Sequence, residues 1–311
     1  AIKYLANKYN IEIEETEQTD EQKIESDEKE SLFLVSEYAN KFFQKTLKET
    51  DEGKSIGLSY FKERGFSEKI INTFQLGYCK DEWTSFTDQA IKDIYKIEFL
   101  EKSGLTIVKE DKKFDRFKGR VIFPILSMSG RVLGFGGRTL KSSKSTAKYL
   151  NSPESKIYYK SKILYGLYHA KQEIAKQDNC FLVEGYTDVM RMYERGIHNV
   201  VSSSGTALSS DQIRLVNRLT NNITVVFDGD SAGLNAAFRG IDIILEQGMN
   251  VKICNLPEGE DPDSFAKDKN FEQLSSYFSE NSKDFITYKA SLLIESAKND
   301  PIKKAETIRD M

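Results

Sequence analysis

Residues 178–256 alternate short apolar segments with longer amphipathic ones, and this alternation constrains the fold more than any other feature of the chain. The apolar segments are CFLVEG, NVVSSSG, ITVVFDGD and VKICNL, and the amphipathic segments between them are TDVMRMYERG, SSDQIRLVNRL and AGLNAAFRGIDIILEQG. Strands that alternate with helices in this way form βαβ units, in which parallel strands share one sheet and helices cover both faces. The pattern therefore predicts a mostly parallel α/β domain.

The region before this domain has a mixed pattern. SEYANKFFQKTLKET spaces Tyr38, Phe42 and Leu47 for one face of a helix. SIGLSYFKERGFSEKIINTFQLGYC predicts two short helices that break at Gly65 and lead into a strand. GRVIFPILSMSGRVLGFGGRTL predicts a β-hairpin with a Ser-Gly turn. Its GFGGR therefore lies in a strand, without the directly following helix that a dinucleotide-binding fingerprint needs.

These patterns predict an α/β protein in four segments. They are an acidic N-terminal tail and linker at 1–35, a basic α+β subdomain at 36–177, a parallel-sheet domain at 178–266 and a helical C-terminal subdomain at 267–311. The linker prediction depends on residues 11–30, which hold 10 acids against 2 lysines and few apolar side chains. Such a composition is typical of a mobile chain.

Positive charge is concentrated in one part of the chain. The formal net charge is −3, yet residues 109–176 carry 16 lysines or arginines against 5 acids. A local excess of this size is typical of a surface that binds nucleic acid. A solvated lysine-rich face explains the same count without any ligand, so both interpretations stay open on charge alone.

Composition limits the location and the class of the protein. No run of about 18 apolar residues occurs and no secretory signal pattern is present, so we expect no membrane partner. Cys79, Cys180 and Cys254 form no CxxC pair and only two histidines accompany them, so we expect no zinc in this chain and a reducing cytoplasm. The chain begins without methionine and ends in a helical pattern, from which we expect a fragment of a longer protein.

Acidic side chains follow three of the four predicted parallel strands. Glu184 follows CFLV, Asp228 and Asp230 follow TVVF, and Asp261 and Asp263 lie in EGEDPDSFA after the last strand. Loops at the carboxyl ends of parallel strands open on one edge of the sheet, so these five carboxylates are expected to converge. Carboxylates about 4 Å apart repel by roughly 4 kcal/mol at intermediate dielectric, so a cation must offset them. Oxygen ligands alone favour Mg²⁺ or Mn²⁺, and five acids could hold two ions.

Each acid also has an ordinary structural explanation. Asp188, Asp230 and Asp263 stand where an aspartate caps a helix, and Asp-Gly is a common turn dipeptide. Their joint occurrence in successive strand-end loops nevertheless favours a metal site.

Two motifs resemble those of a known domain. EGYTD and DGDSAG resemble the glutamate and DxD motifs of the TOPRIM domain, which bacterial primases, topoisomerases and some nucleases share. YFKERGF, DRFKGRVIFPI, GRVLGFGGRTL, KYLNSPES, YYKSKILYGLYHA and EDPDSFA are similar, in order and spacing, to the catalytic core of bacterial DNA primase of the DnaG type. The resemblance runs from about residue 31 to about residue 267. It implies a basic N-terminal α+β subdomain over a Rossmann-like TOPRIM sheet, followed by a helical piece.

The resemblance implies synthesis of short RNA primers on a single-stranded DNA template from nucleoside triphosphates. It implies two or more Mg²⁺ or Mn²⁺ ions on Glu184, Asp228, Asp230, Asp261 and Asp263, with Asp188 supporting that cluster. It also implies a nucleotide- and DNA-binding face of Arg64, Arg138, Lys148, Tyr149, Asn151 and Lys160. The catalytic residues would be Glu184, Asp228 and Asp230, with Glu184 acting either as general base or as metal ligand.

Aromatic side chains interleave with this basic face. Tyr149, Tyr158 and Tyr159 could stack the bases of a single strand, and packing in the core is the alternative for Tyr158 and Tyr159. The zinc-binding module of the family has no counterpart in this chain. The family's module that binds the replicative helicase is expected beyond Met311.

Three other interpretations compete with a primase. A topoisomerase needs a nucleophilic tyrosine in a separate strand-passage domain, which the sequence does not suggest, and a nuclease would cut strands without synthesis. A phosphatase of the DxD type generally has Thr or Val two residues after the second aspartate, where this chain has Ala232. A non-catalytic single-stranded-DNA-binding fragment would not need all five acids.

Overall fold

The structure is a computed structural model that describes residues 20–141, 147–205, 207–227 and 234–296. The helices are α1 (Asp20–Glu49), α2 (Ser59–Glu63), α3 (Glu68–Thr73), α4 (Ser85–Lys92), α5 (Ile97–Lys102), α6 (Leu167–Gln177), α7 (Tyr186–Glu194), α8 (Ser210–Asn217), α9 (Leu234–Glu246), α10 (Pro262–Ala266), α11 (Phe271–Asn281) and α12 (Phe285–Ser296). The strands are β1 (Gly77–Cys79), β2 (Thr106–Lys109), β3 (Lys112–Asp115), β4 (Arg120–Leu126), β5 (Val132–Thr139), β6 (Tyr149–Asn151), β7 (Cys180–Val183), β8 (Val200–Ser202), β9 (Asn222–Phe227), β10 (Asn250–Asn255) and β11 (Ser282–Asp284). A π-helical segment (Gly53–Leu58) precedes α2, and a 3-10 turn (Lys160–Lys162) precedes α6.

The N-terminal half contains an antiparallel sheet in the order β1-β4-β5-β6. β4 and β5 form the predicted hairpin, closed by the Ser127 N–H donating to Arg131 O at 2.8 Å, and GFGGR lies inside β5 as predicted. The apolar residues of β4 are buried, and one side of the sheet packs on Val35, Ala39 and Phe43 of α1. A separate two-stranded hairpin, β2-β3, lies outside this sheet.

The second half contains the predicted parallel sheet, in the order β11-β10-β9-β7-β8. The α/β fold class and the alternation of strands and helices at 178–256 are confirmed. The segment predicted as a helical C-terminal subdomain also contains the short strand β11, which pairs antiparallel with Lys252–Cys254 of β10. The edge of β10 offers unpaired backbone groups, and the extended backbone at Ser282 after α11 brings the chain alongside them.

The prediction of a mobile acidic linker over residues 1–35 is wrong for its described part. Residues 1–19 lie outside the described residues, but α1 begins at Asp20 and buries Leu32 and Val35. Its acidic side chains are held by distant cations, because Glu28 pairs with Lys102 at 2.8 Å and Glu30 pairs with Arg131 at 2.7 Å. A segment whose composition is typical of disorder is therefore helical in the folded protein, where it is continuous with a helix that packs on the core.

The two halves share one hydrophobic core, and the aromatic side chain of Tyr186 is part of it. The ring of Tyr186, in the first turn of α7, stacks on Phe123 of β4 with centroids 5.0 Å apart. Gly136 of β5 permits this contact, since a Cβ there would come within 2.5 Å of the Tyr186 ring. The Tyr186 hydroxyl donates to Asn151 Oδ1 at 2.7 Å. The basic half and the acidic half are thus packed directly against each other.

No helix in the described part of the chain has the length and apolar character needed to cross a membrane.

Candidate active site

The backbone of the parallel sheet brings three strand ends to one edge. β9 pairs in parallel with both β7 and β10, so the chain leaves Val183, Phe227 and Asn255 on the same side of the sheet. Glu184 follows directly after β7 and is exposed at this edge. The predicted residues Asp228 and Asp230 follow β9 and lie outside the described residues. The convergence of all five acids therefore stays a prediction, while the geometry of the edge that carries them is established.

The loop after β7 is fixed by Asp188. This buried carboxylate accepts a hydrogen bond from the Gly185 N–H at 2.7 Å. The contact closes the turn that presents Glu184, and it gives the predicted supporting role of Asp188 a physical basis. The prediction that Asp188 could be the N-cap is wrong, since Gly185 occupies that position and Asp188 stands three residues later.

The last two acids of the predicted set have different environments. Asp261 is exposed and caps α10, with Oδ1 accepting from the Ser264 N–H at 2.7 Å. The helix cap predicted at Asp263 is therefore wrong. Asp263 is buried and meets two guanidinium groups, with Oδ1 2.9 Å from Arg191 Nε and Oδ2 3.1 Å from Arg64 Nη1. Its role as a metal ligand stays a prediction, since both of its oxygens contact arginine.

Three of the predicted basic and aromatic residues form one cluster opposite the strand-end edge. Arg138 on β5 lies across the strand pair from Tyr149 on β6, and its guanidinium carbon is 5.9 Å from the Tyr149 ring. The same carbon is 4.7 Å from the ring of Tyr60, and that of Arg64 is 5.7 Å from it. Tyr60 therefore lies between two cations, and it was not among the site residues predicted from the sequence. The spacing of Tyr60 four residues before Arg64, one helical turn, was the available signal.

This cluster is positively charged, and it is desolvated around Tyr60. Burial raises the pKa values of Tyr60 and Tyr149, and the neighbouring Arg64 and Arg138 partly offset that rise. The buried Tyr60 hydroxyl and Arg138 Nε have no hydrogen-bond partner within the described ranges. Buried donors are normally satisfied, so these two groups are exceptions among the buried polar atoms of the described residues.

The remaining predicted residues lie next to this cluster. Asn151, which accepts from Tyr186, donates from Nδ2 to Ser204 O at 3.4 Å. Lys160 lies in the 3-10 turn and lines a small cavity with Asn151, Tyr165 and Ser204. Lys148 is exposed and lies directly before β6.

The two adjacent tyrosines have opposite environments. Tyr158 is only 3% exposed, so core packing is its role and base stacking is excluded in this structure. Tyr159 is 44% exposed, with Lys162 Nζ 5.4 Å from its ring. Of this pair, only Tyr159 can offer an aromatic face to a nucleic-acid base.

The donor chemistry fits a hard divalent cation without completing a site. No three His, Cys, Asp or Glu side chains cluster to hold a metal ion among the residues that the structure describes. Two of the five predicted ligands fall outside those residues, and Asp263 is engaged by arginines. Glu184 and Asp261 are exposed carboxylates, and carboxylate oxygens are the ligands that Mg²⁺ prefers.

Comparisons with known proteins match both halves of the chain. Residues 42–171 match the family described as DNA primase catalytic core, N-terminal domain, and residues 181–266 match a family described as Toprim-like. A DNA primase of Clostridium acetobutylicum is 38% identical over 311 residues, which cover 99% of this chain and 50% of the relative. The chain thus spans about half the length of the curated relatives that it matches.

Solved structures extend this similarity to three dimensions. A DNA primase domain from Pseudomonas aeruginosa is similar with a TM-score of 0.80 and 33% identity, over 89% of this chain and 87% of that one. A DnaG primase catalytic domain bound to single-stranded DNA is similar with a TM-score of 0.80 and 31% identity, over 91% of both chains.

Proposed function

Because the chain belongs to the family of the bacterial DNA primase catalytic core, we propose that it synthesises short RNA primers on single-stranded DNA by metal-dependent nucleotidyl transfer. One observation carries the proposal. The cluster of Tyr60, Arg64, Arg138 and Tyr149 lies against the edge where the acidic loops of the parallel sheet open, and the two make direct contact through Arg64 and Asp263. Cations that bind phosphate and carboxylates that bind metal are the two parts that phosphoryl-transfer chemistry needs.

The acids would hold the metal ions. The residues assigned to two or more Mg²⁺ or Mn²⁺ ions are Glu184, Asp228, Asp230, Asp261 and Asp263. Such ions, when bound, neutralise charge on a triphosphate and lower the pKa of an attacking hydroxyl. Asp188 would keep the Glu184 loop in place through its bond to the Gly185 N–H. Glu184 would act either as a ligand of these ions or as the general base that takes the proton from the primer's 3′-hydroxyl.

The basic cluster would bind the triphosphate and the template. Arg64 and Arg138 would donate charge-assisted hydrogen bonds to phosphate oxygens, while Lys148 and Lys160 would follow the strand backbone. Tyr149, at 38% exposure, has a ring face available for a base. Asn151 would orient these groups, since it connects β6 to Tyr186 and to the loop after β8.

The proposed partners are a single-stranded DNA template, nucleoside triphosphates and the RNA primer, as the similarity to a primase domain bound to single-stranded DNA supports. A replicative helicase is a proposed partner of the longer protein. The three cysteines are buried free thiols, which supports a reducing, cytoplasmic location.

Incorporation of labelled ribonucleotides on single-stranded DNA tests the function. Wild type should incorporate label with Mg²⁺ or Mn²⁺, and Asp228→Ala should lose about 100-fold or more of that rate. Asp211→Ala is the matched control, because Asp211 pairs with Arg214 on the surface of α8. Equal incorporation by wild type and Asp228→Ala would exclude the metal assignment. Strand cleavage without synthesis would identify a topoisomerase or nuclease, and strand binding alone would identify a non-catalytic fragment.

A further inference from the structure

We propose that Arg191 is a positioning residue that holds Arg64 in the orientation required to bind phosphate. The inference rests on the proposed function of Arg64 and extends it to a residue on the other domain. Arg191 lies in α7 of the parallel-sheet domain, whereas Arg64 follows α2 of the basic domain.

Arg191 is the largest fully buried side chain of the described residues, with 1% exposure. Each of its guanidinium nitrogens has an acceptor. Nε donates to Asp263 Oδ1 at 2.9 Å, and Nη1 donates to Glu194 Oε2 at 2.8 Å. Its guanidinium carbon also lies 4.3 Å from the centroid of the Phe66 ring. A buried cation this fully paired is fixed in one conformation.

The other contacts of Arg191 go to Arg64 and its neighbour. Nη2 donates to the Arg64 carbonyl, and Nη1 donates to the Gly65 carbonyl at 3.3 Å. The carboxylate that accepts from Arg191 Nε also lies 3.1 Å from Arg64 Nη1. Arg191 therefore holds the Arg64 backbone directly, and its side chain shares the Asp263 carboxylate with the Arg64 guanidinium as an ion-pair partner.

Neighbouring contacts make the arrangement specific to this loop. Gly65 has φ +85°, a left-handed conformation that reverses the chain directly after Arg64. Glu194, which accepts from Arg191, also accepts from the Ser67 N–H at 2.8 Å through its other oxygen. Residues 64–67 are thus held by α7, and their position depends on the parallel-sheet domain.

Lysine cannot reproduce these contacts. Arginine has five N–H donors in a planar fork, whereas lysine has a single ammonium that cannot reach Asp263, Glu194 and two carbonyls together. Arg191→Lys keeps the positive charge between the two carboxylates and releases the hold on Arg64. Arg195→Lys is the matched control, since Arg195 lies one turn further on the chain and donates to the Lys267 carbonyl instead.

Chemical modification of arginine by phenylglyoxal, followed by mass spectrometry, tests the inference without any need for activity. The rate at Arg64 should rise about tenfold in Arg191→Lys relative to wild type, and it should not change in Arg195→Lys. Arg138 is the internal reference, because it contacts Tyr60 and Tyr149 and belongs to the other domain. An unchanged rate at Arg64, or an equal rise at Arg64 and Arg138, would overturn the inference, since the latter reports general loosening.

A double-mutant cycle tests the consequence for function. The KM for ATP during primer synthesis is measured in wild type, Arg64→Ala, Arg191→Lys and the double variant. Arg191→Lys alone should raise KM about fivefold to tenfold, and it should add less than about twofold in the Arg64→Ala background. Effects that multiply would show that Arg191 acts independently of Arg64. Absence of synthesis by wild type would refute the proposed function, while the modification rates would still decide whether Arg191 positions Arg64.

Discussion

The antiparallel sheet and the parallel sheet present their functional groups in different ways. Arg138 and Tyr149 project from paired positions within β5 and β6, so the hydrogen-bonded register of the sheet sets their separation. Glu184 and Asp261 belong to loops that follow strands, and their positions depend on local contacts such as Asp188 to Gly185. The cationic side chains are thus placed by sheet register, whereas the described acidic side chains are placed by hydrogen bonds within short loops.

The largest expected effect comes from a variant that removes one of the contacts between the two sheets. Tyr186→Ala deletes the ring that stacks on Phe123 and the hydroxyl that donates to Asn151. We expect a loss of about 3–5 kcal/mol in the free energy of unfolding, measured by urea denaturation. Tyr186→Phe keeps the ring and should cost only about 1 kcal/mol.

The exposed Tyr159 provides the control for this prediction. Tyr159→Ala should change the free energy of unfolding by less than about 0.5 kcal/mol, because the side chain is already largely in solvent. If Tyr186→Ala is no more destabilising than this control, the Tyr186 ring does not contribute to the stability of the contact between the two sheets.

A second test measures how the stability of the protein depends on pH through His169, which lies where the two halves pack together. The ring of His169 on α6 lies 4.6 Å from that of Phe74 and 6.1 Å from that of Tyr193, which belong to different halves. Burial, with a smaller effect of Lys171, lowers the pKa of His169 to about 4 from an ordinary value of 6.5. The unfolded chain therefore binds the proton first, and stability present above pH 6.5 is lost as pH falls towards 4, by up to about 3 kcal/mol.

Urea denaturation between pH 7.5 and 4 measures this effect. His169→Gln, which has no charge at any of these pH values, should lose less stability over the range than wild type does. His198→Gln is the control, because it removes the only other histidine. An identical pH dependence for wild type and His169→Gln would show that the junction does not exclude the charged imidazole.

Periodicity was sufficient to predict the parallel sheet, because each strand and helix there has a local pattern that agrees with its tertiary role. It failed at α1, whose first turns are acidic and polar and whose acidic side chains pair with Lys102 and Arg131 far along the chain. It also failed at β11, a three-residue strand with no apolar pattern that exists because β10 has a free edge. Such elements are determined by partners that local sequence does not contain.

The site residues also divide into those that the sequence predicts and those that depend on distant contacts. Arg64 and Arg138 were predicted from the resemblance to a family, and the position of Glu184 was predicted from its place directly after a parallel strand. Tyr60 and Arg191 were missed, because their roles come from contacts across more than 70 residues of chain, such as those from Arg191 to Arg64 and Asp263. A charged residue inside the apolar run of TDVMRMY was the only local signal for Arg191.

A third prediction tests whether the cationic surface binds the triphosphate. Tyr60→Phe keeps the ring between Arg64 and Arg138 and removes one buried hydroxyl. The KM for ATP should rise about fivefold, which corresponds to one hydrogen bond of about 1 kcal/mol, while kcat stays within twofold. Tyr38→Phe is the control, since its hydroxyl donates to Asp93 on a distant surface. If Tyr60→Phe still makes primers with an unchanged KM for ATP, the Tyr60 hydroxyl does not contribute to triphosphate binding.

The smallest expected effect is that of Lys148→Ala, which tests an exposed residue of the cationic surface. Lys148 is exposed beside Tyr149, so its contribution to strand binding should be a single phosphate contact that salt screens. Lys148→Ala should weaken the affinity for a labelled single-stranded oligonucleotide about threefold at low salt, and it should reduce the slope of log affinity against log salt by about 0.7. Lys283→Ala, which removes an exposed lysine from β11 on the parallel sheet, should change neither quantity. If Lys148→Ala leaves affinity and slope unchanged while Lys283→Ala lowers both, the template runs along the parallel sheet, and the division of roles between the two sheets is wrong.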